Sequence, residues 1–401
     1  MLFIVPLLAI VSVFSFYPII TSFIYTGFDY RTNDPQHAKI FLQKSFNESL
    51  FKEDGGYIVF YLNDEITVVG PETVGEIKSL QQYINGFIGQ YEGKATDVSI
   101  TSKEEEKAKS FINVVKERLN NIYSSNPDAK FYNKDKMPVL LNQMQHCFIE
   151  PNYVGLDNYS KLIHDSRFWR TLVTTIFFTL VSVAIELALG MMLALIMNRA
   201  MRGIGLIRTV SLIPWAIPTA VSALIWSYLY DGSNGIVSNI FAQIGLVPDS
   251  QSMLLSANGA MWSAILADIW KTTPYMALLL LAGLKTIDQG LYESASIDGS
   301  GAVNAYFRIT LPLMKPAILV ALLFRMLDAF RVYDLLAILT GGGPGGATET
   351  LSIYAYKLMI SQGNFGYGAT IVVAMFICVG AIAFFFVKVL GTEVISNEGV
   401  D

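Results

Sequence analysis

Residues 168–197 read FWRTLVTTIFFTLVSVAIELALGMMLALIM. Spanning the hydrocarbon core of a bilayer takes about 20 predominantly apolar helical residues, and this stretch is long and apolar enough to do so. Five other stretches meet the same requirement: Leu2–Phe28, Ile204–Tyr230, Met261–Leu284, Pro316–Leu339 and Tyr367–Leu390. The first lacks the basic n-region and small-residue cleavage site of a secretory signal, and its apolar run is too long for one. It reads as an uncleaved span over residues 1–28. The expected fold is therefore an all-α polytopic membrane protein of six spans.

Composition agrees and also locates an exception. Hydrophobic residues make up 53% of the 401 residues and charged residues only 15%, against about 25% charge in an ordinary soluble domain. Yet Asp29–Glu150 alone holds 14 of the 28 Lys+Arg and 18 of the 33 Asp+Glu. The segment 29–150 thus has the charge of a soluble domain and reads as an insertion between the first span and a five-span core at 151–390, followed by a tail at 391–401. The net charge of −5 is mild and no Lys/Arg run points to nucleic acid. The three histidines (His37, His146, His164) are scattered, with no metal-site spacing, and the two cysteines, Cys147 and Cys378, fall in regions expected to face different compartments, so no metal site and no disulfide is expected.

Lys and Arg placement sets the expected orientation. The loop after the second span carries Arg199, Arg202 and Arg208, and the loop after the fourth carries Lys285, Arg308 and Lys315. The loop Asp231–Ala260 carries neither residue type, and Thr340–Gly366 carries only Lys357. Both termini are then cytoplasmic and the 29–150 insertion lies outside. Within the insertion, Tyr57–Leu62 and Glu65–Gly70 alternate like strands about an Asn63-Asp64 turn. Glu72–Tyr91 has helical periodicity, with Ile77, Leu80, Tyr83, Ile84 and Ile88 on one side. A second helix is expected from Ser102, which has capping-box spacing to Glu105, to about Tyr123. These elements predict an α+β domain.

The loop 285–315 carries the most specific pattern. It contains Tyr292-Glu293-Ser294-Ala295-Ser296-Ile297-Asp298-Gly299 and then Ile309-Thr310-Leu311-Pro312. Small residues beside Glu293 let a short helix lie close to a partner surface. Gly299 permits a sharp turn where a side chain would clash, and Pro312 suits the first turn of a following helix. This pattern resembles the EAA loop of permease subunits of binding-protein-dependent ABC importers, with Ser294 in place of the first Ala. Similar to the sugar-importing branch of that family are also Tyr153–Tyr159, Ile213-Pro214-Trp215-Ala216-Ile217-Pro218 and Leu339-Thr340-Gly341-Gly342-Gly343-Pro344. The resemblance covers residues 1–28 and 151–390. It implies a type I importer permease core in a bacterial inner membrane, with Glu293, Ser294, Ala295, Asp298, Gly299, Ile309, Leu311 and Pro312 coupling it to an ATPase. It further implies a second permease of similar fold, two cytoplasmic ATPase subunits that bind Mg-ATP, and an extracytoplasmic solute-binding protein. The chain itself lacks the Gly-x-x-x-x-Gly-Lys-[Ser/Thr] phosphate loop, so no cofactor and no catalytic residue is expected in it. Larger permeases of maltose-type importers also carry an extracytoplasmic domain between two spans, a likeness of architecture only.

Ionisable groups within spans usually face a bundle interior or a cavity. Arg325, Asp328, Arg331 and Asp334 recur every three residues in the fifth span, either as a self-neutralising ladder or as part of a solute path. In the fourth, Asp268, Lys271, Thr272, Thr273 and Tyr275 surround Pro274, which is expected to open the helix locally. Laid over the sugar-contacting spans of maltose-type permeases, Trp215, Thr219, Asp268, Lys271, Thr272, Tyr275, Arg325, Asp328 and Ala329 fall on contact positions. Aromatic faces, carboxylates and hydroxyls suit a sugar or polyol, although Ala329 offers no side-chain hydrogen bond and Lys271 is charged where an apolar contact is expected. Asp268 could instead pair with Lys271 three residues on. The alternatives are a secondary transporter of a polar solute, which would show two repeated halves, and a membrane enzyme, for which no nucleophile–base pair is present. The sequence favours the importer subunit.

Overall fold

Pro218 marks where the third apolar segment bends, and the charged stretch 325–334 holds the interruption of the fifth. The computed structural model describes residues 5–93, 95–199 and 202–398, with backbone alone at 7–9 and 391–398. Among the described residues, three helices are long and apolar enough to cross a membrane: Ser166–Asn198, Ala257–Leu284 and Phe365–Leu390. The last continues helically to Glu398, into the expected tail, whose residues 399–401 lie outside the described residues. Two further candidates are bent pairs. Ile204–Ala216 and Thr219–Leu229 meet at 89°, and Ala302–Leu313 meets Lys315–Phe330 at 67°. The expected fifth span ends early, because Arg331–Tyr333 interrupts it before a short helix at Asp334–Leu339. The first apolar segment is helical over Val5–Tyr25 with a wide π-type turn at Ser12–Phe16, and its regular apolar part, Ser12–Tyr25, is too short to count by the same measure. Residues 2–4 of that expected span lie outside the described residues. Among the described residues, the six expected spans thus correspond to three long helices, two bent pairs and one shorter apolar segment.

The chain divides into two compact units. The first takes residues up to Phe23, then Asn158–Gln362 and everything from Tyr367; the second takes Ile24–Asp157 with Gly363–Gly366. In lipid, helices associate through close packing of small residues rather than through the hydrophobic effect. The Ser166–Asn198 helix follows that rule: its buried face includes Thr171, Thr175, Ser182, Gly190 and Ala194. A Cβ at Gly190 would come within 2.7 Å of Met276 Cγ on the Ala257–Leu284 helix, so only glycine lets the two helices lie so close. Asp165 caps the first of these helices by accepting from Arg167 N, and Ser256 caps the second by accepting from Gly259 N.

The second unit is mostly helical, and the expected strands at 57–62 and 65–70 are absent. Their residues lie instead in a helix, Glu48–Glu65, and a 3₁₀ turn at Ile66–Val68. Phe51, Gly55, Ile58 and Leu62 recur at helical spacing on the buried face, and Asn47 caps the start by accepting from Leu50 N. Gly55 lies too close to Ile88 for any side chain, so one position of the stripe has no apolar residue and the period is disguised. The helices Pro71–Ile88, Ser102–Ser125 and Met137–Gln145 complete the core around Phe51, Ile77, Ile84 and Ile112. The capping box sits one residue earlier than expected, on Thr101 and Glu104. Three two-residue strands, Ser45–Phe46, Val98–Ser99 and Phe148–Ile149, form a small antiparallel sheet with Ser45–Phe46 in the middle.

Candidate solute path and coupling loop

The 89° bend places the first part of the site. Pro218 has no N–H to continue a helix and pushes Ile217 into extended backbone, where ψ is 133°. Carbonyls freed at such a break need new donors. The buried ammonium of Lys271 donates to Ile217 O at 2.5 Å and to Trp215 O at 3.3 Å. Lys271 therefore fastens the broken third segment to the fourth and makes no ion pair with Asp268. Beside it, Trp215 stacks on Tyr275 with ring centroids 5.4 Å apart and planes 9° from parallel. The fourth helix runs through Pro274 without the local opening expected of it.

Behind the bend, three helices converge on Arg325, which is 1% exposed. Its Nε donates to Glu186 Oε2 at 2.6 Å and its Nη2 to Glu186 Oε1 at 2.9 Å, a fork on the carboxylate. Nη2 also reaches Asp268 Oδ2 at 3.3 Å and Thr272 Oγ1 at 3.2 Å. Nη1 donates to Asp328 Oδ2 at 2.8 Å. The Thr272 hydroxyl lies 2.7 Å from Glu186 Oε1 and 2.6 Å from Asp268 O. A buried guanidinium survives only when its donors are met, and here they are. The expected ladder along the fifth segment reduces to Arg325–Asp328 and a looser Arg331–Asp328 contact at 3.8 Å.

A cavity of about 350 Å³ opens onto this network. Among the residues singled out from sequence, Thr219, Asp268, Lys271, Thr272, Arg325, Asp328 and Ala329 line it. Trp215 and Tyr275 do not; the Trp215 carbonyl is tied to it by Lys271, and Tyr275 follows only through its stack on Trp215. The sequence reading missed Glu186, the carboxylate that holds Arg325. Its signal was a single acid in the middle of the 168–197 stretch.

The loop expected to couple forms a short helix, Gln289–Ile297, carrying Glu293, Ser294 and Ala295, closed by Asp298 at its C-cap. Gly299 has φ +78°. Its N–H donates to Ser296 O at 3.1 Å, and Ser300 N–H to Ala295 O at 2.8 Å, which together make a Schellman turn. A Cβ at Gly299 would meet nothing within 4 Å. The glycine is thus required by backbone conformation, not by the clash expected from sequence. The Tyr292 hydroxyl lies 2.9 Å from Thr310 Oγ1 and ties the helix to the returning strand of chain that carries Ile309 and Leu311. Pro312 sits in the first turn of Leu311–Leu313, where its missing N–H costs nothing. Leu291, Ile297, Val303 and Phe307 lie exposed around this loop.

The family described as the binding-protein-dependent transport system inner membrane component matches residues 186–395, more than half of the chain. The chain belongs to that family. Among relatives, the trehalose/maltose transport system permease protein MalF of Thermococcus litoralis is 42% identical over 60% of this chain and 80% of its own length. The sulfoquinovosyl glycerol transport system permease protein SmoG of Agrobacterium fabrum is 37% identical over 60% of this chain and 78% of its own. A solved bacterial ABC transporter involved in the import of the acidic polysaccharide alginate shares the fold, with a TM-score of 0.54 at 23% identity over 60% of this chain and 84% of that one. The family match begins at Glu186 and takes in the whole ion network and the coupling loop.

Proposed function

We propose that this chain is the permease subunit of an ATP-driven importer that moves a sugar or sugar-like polyol by alternating access. The carrying observation is the 350 Å³ cavity, whose wall of hydroxyl, carboxylate and ammonium groups is set among apolar helices and backed by a fully paired arginine. Such groups are costly in a membrane interior unless they serve a path or a site. Relatives named for trehalose/maltose and for sulfoquinovosyl glycerol support a sugar-like cargo. Thr219, Asp268, Thr272 and Asp328 contact the solute, Arg325 holds Asp268 and Asp328 in place, and Trp215 with Tyr275 forms the aromatic wall at the bend.

The Gln289–Ile297 helix with Glu293, Ser294, Ala295, Asp298 and Gly299, and the return through Ile309, Leu311 and Pro312, docks on a cytoplasmic ATPase. Two such ATPases supply Mg-ATP hydrolysis, a second permease closes the path, and a solute-binding protein delivers cargo outside. Both termini are cytoplasmic, and residues 29–150 are extracytoplasmic. Closure of the ATPases draws the coupling loops together and opens the cavity outward; reopening after hydrolysis releases solute inward. The test is reconstitution of the complete complex in proteoliposomes with labelled trehalose and maltose. Uptake that requires ATP and the binding protein is expected. Uptake driven by an ion gradient without ATP would overturn the assignment.

A further inference from the structure

The family relatives leave the charge of the cargo open, since a trehalose/maltose system and a sulfoquinovosyl glycerol system are comparably similar to this chain. The cavity wall decides between these chemistries. We infer that the cavity rejects anionic solutes and that the cargo is a sugar without acidic groups; this rests on reading the cavity as the solute path.

An anion needs a cation with donors to spare, and the cavity offers almost none. Arg325 is buried, with Nε, Nη1 and Nη2 all engaged by Glu186, Asp328, Asp268 and Thr272. The Lys271 ammonium is committed to the carbonyls of Trp215 and Ile217. Arg331 is the one base whose side chain opens widely into the cavity, 65% exposed and 3.8 Å from Asp328, beyond hydrogen-bond reach. Against it stand two accessible carboxylates. The Asp328 side chain is 58% exposed. Asp334 lines the same cavity and makes no ion pair among the described residues. Counting the groups that line or back the cavity gives four acids (Glu186, Asp268, Asp328, Asp334) and three bases (Lys271, Arg325, Arg331), a formal balance of −1. Carboxylate oxygens accept hydroxyl hydrogen bonds well and repel sulfonate, phosphate and uronate groups. Two accessible carboxylates against one accessible guanidinium leave the wall with an excess of acceptors, which fits hydroxyls that donate.

The experiment reads the potential directly, without relying on the selectivity of the binding protein. In the assembled importer, with Cys147 and Cys378 replaced by alanine, a single cysteine is introduced by Thr219→Cys or, should that complex fail to assemble, by Val332→Cys. Each is modified with a cationic trimethylammonium-ethyl and an anionic sulfonatoethyl methanethiosulfonate of similar size, and the rate ratio is normalised to that of a free thiol. One uncompensated carboxylate nearby favours the cationic reagent by about tenfold or more at an effective protein dielectric. That excess is expected, and it should fall toward unity in the Asp328→Asn/Asp334→Asn pair. A normalised ratio at or below unity, or one unmoved by those substitutions, overturns the inference. The path reading is checked separately. Trehalose or maltose delivered by the binding protein should slow modification by both reagents. If neither sugar protects, the cavity is not the path, whatever its charge.

Discussion

Replacing Arg325 should damage this protein far more than replacing any one of its acidic partners. Three carboxylates surround one guanidinium, at 2.6 Å from Glu186, 2.8 Å from Asp328 and 3.3 Å from Asp268. In Arg325→Met, Glu186 and Asp268, both almost fully buried, face each other with no cation between them. Removing one partner of a buried charge pair costs about 3–5 kcal/mol, and here the loss strands two acids. In Glu186→Gln the arginine keeps Asp268 and Asp328, and the amide oxygen still accepts from it, so the cost should be about 1.5–3 kcal/mol, the size of one charge-assisted hydrogen bond. Thermal inactivation of the detergent-solubilised complex, followed by size exclusion, measures both. Adding Glu186→Leu and Asp268→Leu to Arg325→Met should recover much of the lost stability, because an apolar replacement of a whole buried charge cluster is often neutral. Uptake should not recover with it. Equal losses for Arg325→Met and Glu186→Gln, or a triple variant no more stable than Arg325→Met, would refute the view that this arginine is what neutralises the buried Glu186 and Asp268.

In the inserted unit, burial pushes the Asp54 carboxyl up to about 6, with Glu53 adding to the shift, and its Oδ2 has no hydrogen-bond partner. A raised carboxyl contributes stability below its unfolded value near 4 and loses it as pH climbs through 6. Urea-dependent proteolysis of the intact chain should therefore find this unit weaker at pH 7.5 than at pH 4.5 by up to about 2 kcal/mol, and Asp54→Asn should flatten that difference; an unchanged profile would remove Asp54 as its source. At the coupling loop, Gly299→Asn should retain ATPase coupling better than Gly299→Val, because a φ of +78° is tolerated by Asn and resisted by a β-branched residue by more than about 1 kcal/mol; equal coupling in both would show that backbone conformation is not what the glycine supplies. Tyr275→Ala should lower uptake of trehalose or maltose while ATPase activity stimulated by the binding protein persists, and unchanged uptake would take the Trp215–Tyr275 stack out of the path.

Segment length and apolarity were legible in the sequence, because a helix in lipid needs little more than about 20 apolar residues. The bends were less so. Pro218 announces a break, but its angle depends on Lys271 arriving from another helix to satisfy the exposed carbonyls. The interruption at Arg331–Tyr333 left only the charges as a sign. In the inserted unit, Tyr57–Leu62 is rich in β-branched and aromatic residues, and propensity argued for a strand. Packing decided otherwise, since the stripe through Phe51, Gly55, Ile58 and Leu62 buries one helical face, and a glycine concealed one position of it.

The candidate site makes the same point more sharply. Asp268 and Lys271 lie three apart on one helix, where sequence reasoning naturally joins them. A buried ammonium and a buried carboxylate do not settle for the nearest partner, however; each takes the arrangement that satisfies all of its donors or acceptors. Lys271 finds two carbonyls that have no other donor, and Asp268 joins the guanidinium that Glu186 has already oriented. The two interactions lock different joints. One fixes the bend of the third segment against the fourth helix, and the other fixes the second, fourth and fifth segments to one another. A movement that opens the cavity must therefore either carry all four segments together or break a buried charge contact costing several kcal/mol. The first is far cheaper, so these four segments should move as one rigid group, and the change in access should occur at surfaces that carry no buried charge.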